Sequence, residues 1–222
     1  MRLLKVLFYL RRFVIEGVVS FLITSLLLFF YAPDLLNFMK AYLGQDLAFY
    51  GVFEPMVALI KVASIGALIV LSPWFAFRIS QALRAVFGFS LTFVSLFFIT
   101  SFILFFTGVL FCFFVTLPFG IHFLLQFGSD TVRPIIGVGK FVNFTGFFLL
   151  GFGTIFELPL IMVIITRTGV ADAEFFKKNR RYAILIVAIL AAVLTPTPDV
   201  FNMSLMGIPL YLLYEIGIIF SR

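Results

Sequence analysis

Long apolar runs constrain this chain more than any motif does. Crossing a bilayer as a helix takes about 20 apolar residues, within a range of roughly 17–25. Four segments qualify, 13–31, 56–77, 91–117 and 141–165, and two later ones are short, 182–194 and 204–220. Only 12% of the 222 residues are charged and 63% are hydrophobic. Soluble domains carry about 25% charged residues, so the chain is predicted to be an integral membrane protein.

These segments predict an all-α fold with six transmembrane helices. At about 1.5 Å per residue the last two are shorter than a hydrocarbon core of about 30 Å, so they either thin the bilayer or lean on neighbouring helices. No repeat or linker divides the sequence, and we expect a single membrane domain over residues 1–222. The first run lacks a small-x-small cleavage site, which favours a retained signal anchor.

Basic residues are unevenly distributed between the loops. With the N-terminus inside, twelve of the 16 basic residues fall in cytoplasmic segments and three fall outside. This bias predicts that both termini are cytoplasmic. The net charge of +6 is therefore a topology signal, and no nucleic-acid partner is expected. Within the cytoplasmic segments, ADAEFFKKNRR (171–181) predicts a short helix capped by Asp172.

The motifs of serine hydrolases, zinc proteases and nucleotide-binding enzymes do not occur in this sequence. There is one histidine, His122, and one cysteine, Cys112, and neither a G-x-S-x-G nor an H-E-x-x-H motif occurs. The two G-x-G pieces, at 137–139 and 151–153, lack the rest of a phosphate-binding pattern. We therefore predict no catalytic residue, no metal site, no cofactor and no enzymatic activity.

One carboxylate lies inside an apolar run. Glu157, in GFGTIFELPLIM (151–162), is followed two residues later by Pro159, which removes a backbone donor and can bend the helix. A charged side chain at a helix centre costs about 2.5–3.5 kcal/mol on insertion scales. Glu157 is thus expected to be protonated, paired or turned towards a polar interior. Either it only holds helices together or it contacts a substrate or partner helix.

Three further acids lie at the ends of the predicted spans. Glu54 and Pro55 open the second span from outside. Asp199, in the turn TPTPD (195–199), is placed to cap the helix that follows. Glu215 lies towards the inner end of the last span, where a partnered interfacial acid is the plain interpretation.

Several segments together resemble TatC, the multispanning core subunit of the twin-arginine protein translocase. They are EPMVALIKVASIGALIVLSP (54–73), LPFGIHFLL (117–125), FELPLIM (156–162) and RRYAILIVAILAAVLTPTPDVFNMSLMGIPLYLLYE (180–215). Their order and spacing match the family from about Glu54 to Ile218. On this resemblance Glu157 corresponds to the family's membrane-embedded glutamate, and Asp199 to its outer-turn aspartate. Glu54 and Pro55 correspond to its Glu-Pro pair.

The resemblance implies a receptor that binds twin-arginine signal peptides of folded precursors. It also implies single-span partners of the TatA and TatB type, a homo-oligomer within a larger complex, and export driven by the proton motive force. The expected location is the bacterial cytoplasmic (inner) membrane, with an organelle inner membrane as the alternative. The lipid bilayer is then a further partner, because it contacts the apolar surface of the chain.

The cytoplasmic recognition residues depart from the family pattern. In LFYLRRF (7–13) the family's glutamate position is Tyr9, although Arg11 is retained and Arg12 follows it. The loop segment RISQALRAVFGFS (78–90), which in the family carries a glutamate, has no acid. Such a basic surface repels two arginines.

Three functions therefore stay open. The leading one is a TatC-type translocase core, in which Ser80 and Gln81 accept weaker hydrogen bonds from the signal or a partner subunit supplies the acid. The second is a divergent TatC-like scaffold that no longer reads twin arginines. The third is a small secondary transporter with Glu157 as its proton site, against which no paired halves are visible.

Overall fold

The computed structural model describes residues 2–44, 47–126, 136–194 and 200–221. The chain forms two compact units, Met1–Ile103 with Ile135–Leu150 and Leu104–Pro134 with Gly151–Arg222, and each is described by itself. The expectation of a single membrane domain stays a prediction.

The described residues are almost entirely helical. The α-helices are α1 (Arg2–Phe29), α2 (Ala32–Leu43), α3 (Glu54–Phe87), α4 (Leu91–Phe111), α5 (Leu117–Gln126), α6 (Val138–Phe156), α7 (Leu158–Arg167), α8 (Ala173–Lys178), α9 (Arg180–Leu194) and α10 (Val200–Phe220). A π-helical turn, Cys112–Thr116, joins α4 to α5. Two-residue strands β1 (Leu47–Ala48) and β2 (Ile136–Gly137) pair in parallel.

Four helical stretches are long and apolar enough to cross a membrane. They are Arg11–Phe29, Glu54–Phe87, Leu91–His122 and Val138–Arg167, and a shorter apolar helix covers Met206–Phe220. The prediction of a helical, multi-pass membrane protein is confirmed at this level. The count of six spans and the orientation of the termini stay predictions.

A helix that was not predicted lies between the first two predicted spans. It is α2, which has a proline in its first turn, Asp34 near its start and Lys40 near its end. It stops at Gly44, whose positive φ of 62° ends the helix in the left-handed conformation. The short helix expected at 171–181 is present as α8, with Asp172 at its N-cap position but without a side-chain capping bond.

In the first unit α3 packs along α1 through small side chains. Ala58, Ala63 and Ala67 of α3 are buried, and a Cβ added at Gly66 would lie 3.3 Å from Leu28 Cδ1. Small residues let helix backbones approach closely where apolar surroundings give no hydrophobic drive to association. Close packing therefore holds this helix pair together.

In the second unit α10 packs against α7 and α9. Met162, Ala183, Tyr214 and Ile218 form a buried cluster there. A second close approach joins α4 to α6, because a Cβ added at Gly108 would lie only 2.6 Å from the carbonyl oxygen of Phe152. Since the obstacle is backbone, a side chain at position 108 cannot be accommodated by a rotamer change.

We expect Gly108→Ala to lower the stability of the protein by about 1–3 kcal/mol, the usual effect of overpacking. Gly207→Ala is the matched control, because its Cβ would lie 3.9 Å from Ala191 Cβ, an ordinary contact. That control should leave stability unchanged or raise it by up to about 1 kcal/mol through helix propensity. Thermal unfolding in detergent measures both, and equal melting temperatures would contradict the close approach at Gly108.

Candidate functional site

The helix that carries Glu157 is interrupted at that residue. α6 ends at Phe156 and α7 begins at Leu158, with Glu157 between them. The Glu157 amide donates to Thr154 O at 3.2 Å, and its carbonyl accepts from the amides of Leu160 at 2.9 Å and Ile161 at 3.0 Å. The break therefore leaves these backbone groups hydrogen-bonded and places the half-buried Glu157 between the two helices.

Pro159 shapes this break and is itself buried. It lies in the first turn of α7, where a proline costs no helical hydrogen bond. A Cβ added at Gly217 of α10 would lie 3.2 Å from Pro159 Cα, so α10 packs directly on the start of α7. Direct binding of a partner by Pro159 stays a prediction.

Glu54 ties the start of α3 to the start of α6. Its Oε2 accepts from the amide of Tyr50 at 2.7 Å, and its Oε1 accepts from the amide of Gly139 at 3.0 Å. Gly139 lies in the first turn of α6, where free backbone donors and the helix dipole favour a carboxylate. Pro55 follows in the first turn of α3. Glu54 thus connects two segments 85 residues apart in sequence.

A charged cluster lies between α1 and α3. Glu16 of α1 pairs through Oε1 with Arg12 Nε at 2.6 Å, and through Oε2 with the guanidinium of Arg78. Arg78 also donates to Gln81 Oε1 at 3.3 Å and lies 5.7 Å from the Trp74 ring centroid. Gln81, predicted to receive a signal arginine, thus already accepts a bond from an arginine of the chain itself.

Glu16 was missed by the sequence analysis. It is the only acid among residues 2–29 that form α1, and it follows Arg12 by four residues, the spacing of a helical ion pair. Glu16 lies within the first predicted span, 13–31, where the surrounding residues are mostly apolar. The contact with Arg78 is long-range, and no local pattern predicts it.

The remaining predicted recognition residues lie in different surroundings. Arg11 is exposed near the start of α1. The backbone of Tyr9 is helical, and its side chain lies outside the described residues, as does the whole of Asp199. Ser80 is 1% exposed and its hydroxyl donates to Phe77 O at 2.7 Å. Its role in binding stays a prediction that this burial does not favour.

Glu215 joins α10 to the helices before it. Its carboxylate accepts from Arg180 Nη2 at 2.7 Å and from the Tyr211 hydroxyl at 2.8 Å. Nearby, the Tyr214 hydroxyl donates to Phe176 O of α8 at 2.8 Å. These contacts are those of a partnered acid that fixes short helices. Among the residues that the structure describes, no group of three His, Cys, Asp or Glu is placed to hold a metal ion.

Comparison with known proteins gives one consistent family. The family model of the Sec-independent protein translocase protein (TatC) matches residues 5–209. The protein of that name from Carboxydothermus hydrogenoformans is 36% identical, over 96% of this chain and 89% of its own length. The one from Escherichia coli O6:H1 is 27% identical, over 96% of this chain and 85% of its own. A crystal structure of the twin arginine translocase receptor TatC in DDM is similar with a TM-score of 0.82 and 29% identity, covering 97% of this chain and 99% of that one.

We expect Glu54→Gln to lower the melting temperature in detergent, because the amides of Tyr50 and Gly139 lose a charged acceptor. Glu174→Gln, an exposed acid of α8, is the control and should change the melting temperature little. An unchanged melting temperature for Glu54→Gln would show that these two bonds do not hold α3 and α6 together.

Proposed function

Because this chain belongs to the TatC family of Sec-independent protein translocase proteins, we propose that it is the receptor and core subunit of a twin-arginine translocase. It binds twin-arginine signal peptides of folded precursors and works with single-span partners of the TatA and TatB type. The observation that carries this proposal is the whole-chain similarity to a solved twin-arginine translocase receptor. The proposed role is transport driven by the proton motive force.

The proposed topology has six spans with both termini in the cytoplasm of a bacterium. The four long apolar stretches support it, as does the concentration of basic residues in alternate loops. α9 has 15 residues, which corresponds to about 22 Å at the usual helical rise. A helix this short requires a locally thinned bilayer or support from neighbours.

Glu157 is the proposed contact for a transmembrane segment of a partner or a signal peptide. Its carboxylate is half-buried at a helix break within an apolar stretch, where a polar group is retained only with a partner or a polar surface. In this proposal Glu54 and Asp199 are further contacts for a substrate or partner. The subunit would act as a homo-oligomer within a larger complex.

A second candidate function is a TatC-like scaffold that does not read twin arginines. The observation that favours it is the loss of acids from the recognition positions: Tyr9 replaces one, and residues 78–90 contain none. Ser80, the polar substitute in that segment, is buried.

Site-specific crosslinking in native membranes separates the two candidates. A signal peptide with an arginine pair is compared with the same peptide carrying a lysine pair, using probes at positions 9, 81 and 157. Stronger crosslinking of the arginine peptide supports a receptor. Equal or absent crosslinking of both peptides supports the scaffold and contradicts the proposed function.

We expect Glu157→Ala to insert into the membrane normally but to bind its partner segment less tightly and to export less. A polar contact within the membrane contributes about 1–2 kcal/mol, which corresponds to roughly 5- to 30-fold weaker association. Co-purification of partners and export of a folded reporter measure the two effects. Ile161→Ala is the control, one turn away and 48% exposed, and should retain both. Wild-type export by Glu157→Ala would contradict the assignment.

A further inference from the structure

A carboxylate is the strongest side-chain acceptor for arginine, and the segments around the predicted recognition positions contain few. Arginine binds a carboxylate through parallel N–H donors, an arrangement that a hydroxyl or amide matches only weakly. The sequence contains no acid between Glu54 and Asp130. Glu54 lies at the opposite end of α3 from Arg78 and Gln81, and α1 carries a single acid, Glu16.

Glu16 already holds two guanidinium groups. Arg12 contacts one carboxylate oxygen and Arg78 contacts the other. Arg78 is held further by Gln81 and Trp74, and Phe13 stacks on Trp74 with ring centroids 5.8 Å apart. The site therefore has two groups that bind arginine, the carboxylate of Glu16 and the aromatic ring of Trp74.

Position and exposure make this carboxylate reachable. Glu16 follows Tyr9 by seven residues, so both lie on nearly the same face of α1, about 10 Å apart along its axis. The side chain of Glu16 is 35% exposed. That of Arg12 is 66% exposed, whereas that of Arg78 is 20% exposed. Arg12 is thus the partner that a competing cation displaces more easily.

We propose that Glu16 is the carboxylate that receives an arginine of the signal peptide, and that Arg12 is the internal competitor which this arginine displaces. Arg78 stays on the second oxygen and fixes the orientation of the carboxylate. This inference rests on the proposed function and names the specificity-determining residue of that function. It also accounts for binding of a basic signal at a basic surface, since one cation leaves Glu16 as another arrives.

The test measures binding of two synthetic signal peptides to the full chain in liposomes. The peptides differ only in carrying an arginine pair or a lysine pair. Glu16→Gln should weaken binding of the arginine peptide by roughly tenfold or more, the effect of losing hydrogen bonds to a charged group. The preference for arginine over lysine should disappear with it.

Arg12→Gln gives the opposite sign and separates recognition from structure. Removing an exposed competitor should tighten binding of the arginine peptide about two- to fivefold, the range for an exposed ion pair. The double variant Glu16→Gln with Arg12→Gln should show no such gain. Arg84→Gln removes one positive charge from α3 and is the control for general charge repulsion. Any gain in binding in this variant should be equal for the arginine and lysine peptides.

The outcomes distinguish the two levels of the proposal. If the wild-type chain does not prefer the arginine peptide, the proposed function and this inference both fail. If the wild-type chain prefers the arginine peptide and Glu16→Gln keeps that preference, the proposed function stands. Glu16 then only holds α1 and α3 together. Unchanged or weaker binding by Arg12→Gln overturns the role of Arg12 as a competitor.

Discussion

The lack of water in a hydrocarbon core is the constraint on which the rest of this structure depends. Each unsatisfied backbone group there costs several kcal/mol, so an apolar chain must close its hydrogen bonds within helices. The interruption at Glu157 obeys the same rule. Its carbonyl accepts from Leu160 and Ile161, and its amide donates to Thr154. A helix break with a carboxylate can therefore persist where a loop with unsatisfied backbone groups could not.

Three acids of this chain join helices to one another. Glu16 joins α1 to α3, Glu54 joins the start of α3 to α6, and Glu215 joins α10 to α9. In each case the donor comes from a distant part of the sequence within the same unit. Because desolvating a carboxylate is costly, these donors explain why the charges are tolerated next to apolar helices. The same contacts fix the directions of the helices they join.

The helices were largely predictable from the sequence, and the side-chain contacts that join them were not. The apolar segments at 56–77 and 141–165 fall within α3 and the α6–α7 stretch, because span length is a property of the sequence itself. α2 was not predicted because it has only 12 residues, and the search for spans selects longer apolar runs. The break at Glu157 followed from Pro159. The pairing of Glu16 with Arg78 spans 62 residues, and only tertiary packing creates it.

The π-helical turn at Cys112–Thr116 has a consequence for experiments along the third apolar stretch. The amide of Leu117 bonds to the carbonyl of Cys112, five residues back, so the turn holds about one residue more than an α-helical turn. α5 is therefore rotated by about 100° relative to the continuation of an unbroken α-helix. A helical wheel drawn from Leu91 therefore assigns residues of α5 to the wrong side. Residue-by-residue accessibility along this stretch should follow a 3.6-residue period up to the turn. Beyond Thr116 the same period should return with its maxima shifted.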